Sequence, residues 1–230
     1  MAAQAQLDAT LSPTDIVLEF LEACIHQVLY ARGVYPASIF DKRIKYGMMV
    51  HQSRHPEING YVRRVLGNTK PLMEVGIVDD LVMAFSPEDA NSQEPKEKIV
   101  FSCSALAMIR SGENWSMRYG DNKALNNLEE HMKNSLVNLL KLPKFSEVEP
   151  WKFELQVHTG KSSRGVDPNQ DNALKNALRT NEWKVDNEAG AGPSASQRSR
   201  DDSNVASFTG VSSFHSELFN CAINRVRDSR

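Results

Sequence analysis

Residues 151–158 alternate without a break, with Trp151, Phe153, Leu155 and Val157 set against Lys152, Glu154, Gln156 and His158. Successive side chains of a strand point to opposite faces, so this segment has one dry face and one wet face. Such a strand suits an antiparallel sheet packed on one side only, and the chain has to supply the elements that cover it.

Three helices are legible by their apolar spacing. In the first, Ser12 can act as the cap, Pro13 suits the first helical position and Asp15 places negative charge in the first turn. Ile16, Val17, Phe20, Leu21, Cys24, Ile25, Val28 and Leu29 then form a stripe wide enough to require burial, ended by Gly33 and Pro36. The second begins at His55-Pro56-Glu57, runs through Ile58, Tyr61, Val62, Val65 and Leu66, and is interrupted or closed by Pro71. The third covers residues 123–142, with Leu125, Leu128, Met132, Leu136, Leu139 and Leu140 on one stripe and Pro143 as its stop. Residues 77–85 and 98–103 read as two strands of a long-looped hairpin. The order of these pieces predicts an α+β fold, an antiparallel sheet on three helices, rather than alternating βαβ units.

Composition divides the chain. From residue 12 to about 160 apolar residues recur regularly, whereas residues 187–230 are rich in Gly, Ser, Asn, Arg and Asp and predict a largely disordered tail. The expected divisions are a core at 12–160, a transitional piece at 161–186 and the tail. The 230 residues can bury a core without staples, and three scattered cysteines fit a reducing compartment rather than a disulfide framework. No run of about 18 uncharged apolar residues is present and the N-terminus lacks a signal-peptide pattern, so neither a membrane span nor secretion is expected. A net charge of −2 removes the simplest route to autonomous nucleic-acid binding.

Catalytic motifs are largely missing. There is no phosphate-binding glycine loop of the two common types. His51 and His55 are four apart, but Pro56 pushes His55 out of helical geometry and no third ligand lies at metal spacing. Cys24 and Cys103 read as buried small hydrophobes. The basic run Asp41-Lys42-Arg43-Ile44-Lys45 suits contact with phosphate or an acidic partner, but a solvated loop suits it better.

The longer string is more specific. EFLE at 19–22, LYARGVYP at 29–36, IFDKRIKY at 39–46, HPEINGY at 55–61 and KPL at 70–72 resemble HORMA-domain proteins, in particular the HORMA accessory subunits of translesion DNA polymerase zeta. The likeness returns in LVNLLKL at 136–142, in FELQVHT at 153–159 and in Trp183 of NEWKVD. It covers residues 14–160 and thins toward 186.

That resemblance implies a non-catalytic adaptor of the HORMA fold, with no cofactor and no metal. A C-terminal safety belt, begun here by 161–186, would hold a short peptide added as a strand to the sheet edge. The implied partner is a proline-containing segment of the polymerase zeta catalytic subunit. Another translesion polymerase and other HORMA proteins are further implied partners, with a role in DNA damage tolerance in the nucleus. By the same likeness Tyr61, Trp151, Phe153, Leu155, Val157 and Trp183 form the peptide site, and Lys42, Arg43 and Leu136 a partner or dimer surface. No sequence-specific DNA contact and no membrane contact are implied. Leu136 stands where the family has an arginine, Gly33 where an acidic residue is common, and residues 205–230 match no belt strand. The alternative expectation is a belt-deficient variant that uses other surfaces or fails to lock the peptide.

Overall fold

The structure, a computed structural model, describes residues 12–88, 95–103, 122–146, 149–159, 172, 176, 209–215 and 220–225, with 122–125 and the last two stretches as backbone only. Helix α1 is Pro13–Arg32. Its first turn is closed by Ser12, whose Oγ accepts the Asp15 N–H at 3.2 Å. Its end is closed by Gly33 at φ 68°, whose N–H donates to the carbonyls of Leu29 and Tyr30. This left-handed turn disfavours any residue with a Cβ. The wide stripe is buried from Ile16 to Leu29 because α1 is packed by three neighbours: helix α2 (Pro56–Glu74), helix α3 (Asn122–Leu140) and strand β2 (Met48–Ser53). Burying each such side chain contributes about 1.5–3 kcal/mol.

The other strands are β1 (Phe40–Lys45), β3 (Val78–Pro87), β4 (Glu97–Ser102), β5 (Trp151–Thr159), β6 (Thr209–His215) and β7 (Asn220–Arg225). β1 and β2 form a separate two-stranded sheet, and the main sheet runs β5-β3-β4-β7-β6. Every pairing is antiparallel, so the α+β class and the hairpin of residues 77–103 stand as expected. The helices and the inward face of the sheet share one core, which takes in Phe20, Leu66, Leu81, Met83, Phe85, Ile99 and Leu139. No helix among the described residues is long and apolar enough to cross a membrane.

Three expectations change. Pro71 does not close α2, which runs on to Glu74. Leu72 and Met73 in that last turn are buried, and their packing outweighs the one backbone bond that proline removes. The basic run is not a loop but the strand β1, paired with β2 from Phe40–Ser53 to Lys45–Met48. Finally, part of the expected disordered tail is strand. β7 lies antiparallel on β4 from Glu97–Arg225 to Ser102–Asn220, and β6 pairs with β7. Main-chain bonds to an existing edge do not depend on an apolar composition, which is why composition hid them.

Candidate functional site

Strand β5 ends the main sheet, with β3 as its neighbour on one side. Residues of an antiparallel strand turn N–H and C=O alternately to either side. The Leu155 N–H donates to the Tyr61 hydroxyl at 2.9 Å, away from β3. Trp151, Phe153, Val157 and Thr159 share that outward phase. The even phase faces β3, as the Pro150 carbonyl does in accepting the Glu88 N–H at 2.8 Å. The expected docking residues 151, 153, 155 and 157 are therefore the ones that turn their backbone groups away from β3, while their side chains turn toward the core. Leu155 is buried, and Trp151, Phe153 and Val157 are half-buried against it.

Beside this edge lies a groove of about 610 Å³. It is lined by Tyr35, Pro36 and Ile39 from the segment after α1, by His55, Glu57, Ile58 and Tyr61 from the start of α2, and by Phe153. The Phe153 ring meets Tyr35 edge-on at 6.2 Å and Tyr61 at 5.7 Å. Burial pushes both tyrosine hydroxyls above their ordinary pKa, so both stay neutral and can donate and accept. A second hollow of about 490 Å³ opens between Gly33, Leu140 and Trp151. Trp151 stacks on Phe145 at 4.1 Å, and its buried indole Nε1–H has no partner among the described residues.

Tyr61, Trp151, Phe153, Leu155 and Val157 are thus brought together. Trp183 lies outside the described residues. Lys42 and Arg43 sit on β1 in the other sheet, with Arg43 3.7 Å from Asp41, and neither lines the groove. Leu136 is a correction: it is fully buried in the core, because it occupies the inward stripe of α3 with Met132 and Leu139, and offers no partner surface. Sequence reasoning missed Tyr35, Pro36, Ile39, His55, Glu57 and Ile58 as groove residues. Their signal was the pair of motifs VYP and HPE, which converge only in three dimensions. Cys103 is buried and its thiol is pushed up to about 12, mainly by burial, so it stays protonated near neutral pH and is a poor nucleophile.

No family profile matches the chain. It is 42% identical over 87 residues to the human mitotic spindle assembly checkpoint protein MAD2B, covering 38% of this chain and 40% of that protein. It is 35% identical over 95 residues to the DNA polymerase zeta processivity subunit of Schizosaccharomyces pombe, 41% of this chain and 43% of that one. The matches thus span about two fifths of these relatives' length. Among solved structures, a chain of the mitotic checkpoint complex aligns with TM-score 0.54 at 19% identity, covering 94% of this chain and 99% of that one. HTP-2 bound to HTP-3 motif-6 aligns with TM-score 0.54 at 9% identity, over 98% of this chain and 96% of that one. The chain has the HORMA fold, and its homologues are MAD2B and the polymerase zeta processivity subunit.

Proposed function

We propose that the chain is a non-catalytic adaptor that takes up a short peptide as an added strand on the outer side of β5. The observation that carries this is one edge offering backbone groups beside an aromatic groove, while the opposite edge is covered by the β6–β7 hairpin. In strand addition the main-chain bonds supply affinity and neighbouring pockets choose the side chains. HTP-2, a fold neighbour, is bound to HTP-3 motif-6, which supports a peptide ligand. The hairpin beside β4 favours a C-terminal segment that engages the core over a belt-deficient chain.

The named relatives point to polymerase zeta, so the proposed partner is a proline-containing segment of its catalytic subunit. The chain would then link polymerase subunits in DNA damage tolerance, in the nucleus. A groove walled by Tyr35, Tyr61 and Phe153 suits the flat apolar ring of proline, which has no N–H to leave unpaired. Titration of a labelled peptide from that segment into the full chain is expected to give micromolar or tighter binding. Tyr61→Ala removes a groove wall and should weaken it by more than about 1 kcal/mol, as pocket anchors do. Undiminished binding by that variant would move the site away from this groove.

A further inference from the structure

We propose that the Tyr61 hydroxyl is a gate on the β5 edge, occupying the acceptor position in front of the Leu155 amide until a ligand that fills the groove turns it aside. The inference rests on the strand-docking reading above and adds to it a residue that determines which strands are accepted.

A long apolar edge is a template for indiscriminate pairing, and proteins blunt such edges with charges, prolines or covering groups. β5 has no proline in its nine residues, and its charged side chains, Lys152 and Glu154, point to the face opposite Phe153 and Leu155. Its blunting device comes from elsewhere. Tyr61 reaches the edge from α2, its ring held against Phe153 at 5.7 Å and 73°, and its oxygen lies 2.9 Å from the Leu155 nitrogen. That is the separation a ladder carbonyl would adopt, and two oxygens cannot share the position.

Leu155 is the middle one of the five outward residues 151, 153, 155, 157 and 159. Among the described residues, no hydrogen bond reaches the outward amides of Phe153 or Val157. Capping the central amide therefore leaves two short stretches of open edge, each too short to hold a strand firmly. Tyr61 also lines the groove, so the side chain that blocks the ladder is the one a groove-filling residue would press against. Occupancy of the groove and access to the central amide are coupled through one ring. A peptide that fills the groove opens the full edge, and one that does not meets an interrupted one.

The test is Tyr61→Phe in the full chain, which keeps the ring and its contact with Phe153 and removes only the oxygen. Amide exchange measured by NMR should quicken at Leu155 and stay unchanged at Phe153. The labelled proline-containing peptide should bind about five-fold more tightly, the factor expected for one neutral hydrogen bond no longer displaced. A scrambled peptide should gain at least as much, narrowing the discrimination between the two. Weaker binding by Tyr61→Phe would overturn the gate, because the hydroxyl would then be serving the bound state. Equal affinities, or unchanged exchange at Leu155, would overturn it as well while leaving strand docking intact. Failure of both wild type and variant to bind would remove the strand-docking reading and the gate together.

Discussion

His26 lies in the middle of α1 with 1% of its surface exposed, and neither ring nitrogen has a hydrogen-bond partner among the described residues. Burial holds its imidazole below the ordinary value of 6.5; Glu22, 4.0 Å away, works against that, and Arg63 from α2 works with it. The native state therefore binds less proton than the unfolded chain as pH falls below 6.5. Stability is full above that pH and declines below it, until the depressed native pKa is reached. His51, half-buried and stacked on Tyr30 at 3.5 Å, is shifted the same way by burial and by Lys42. Urea unfolding should show a lower midpoint at about pH 5.5 than at about pH 7.5, and His26→Leu should flatten part of that slope. An identical slope in the variant would place the dependence elsewhere. His26 lies off the apolar stripe read from the sequence, so its burial was not legible there. The influence of Arg63 was not legible either, because it reaches across from a second helix.

Among the elements, the β1–β2 hairpin departs most from its sequence pattern. Its turn is Tyr46-Gly47, with φ of 50° and 65°, the left-handed pair that matches the twist of flanking strands. Tyr46 tolerates this because its ring is buried, edge-on to Phe20 at 5.9 Å. A Cβ on Gly47 would meet nothing within 4 Å, so Gly47→Ala carries only the backbone penalty. The expected loss is about 1 kcal/mol in chemical unfolding; an unchanged midpoint would mean that the turn relaxes without strain. The hairpin was hidden because Ile44 and Met49, opposite each other near its tip, are 67% and 53% exposed. No simple alternation of dry and wet residues marks it. α2 carries the complementary lesson, since a proline read as a stop lies inside the helix when the residues after it are buried.

Across the whole molecule, one buried ion pair ties the layers together. Arg32 at the end of α1 pairs with Glu97 at the start of β4, with side chains 1% and 4% exposed. The same guanidinium donates to the Pro143 carbonyl and lies 4.6 Å from the centre of the Phe145 ring, which stacks on Trp151. The first residue of β5 is thereby held to the helix layer. Arg32→Ala would leave Glu97 buried without this cation, a loss of about 3–5 kcal/mol, and Arg32→Met with Glu97→Gln should recover part of it. A loss below about 1 kcal/mol in calorimetry or urea unfolding would show that water reaches the site and screens the pair. Periodicity by itself determined the three helices, the β3–β4 hairpin, the one-sided strand β5 and the fold class, because each depends on residues within a few positions of one another. Motif likeness reached the groove residues Tyr61 and Phe153. Only the tertiary structure decided that β5 is the outer strand among the described residues, that the C-terminal hairpin lies on the other side of the sheet, and that a tyrosine 94 positions away in sequence caps the central amide. Those features depend on backbone groups and long-range contacts, which carry no periodic side-chain signature.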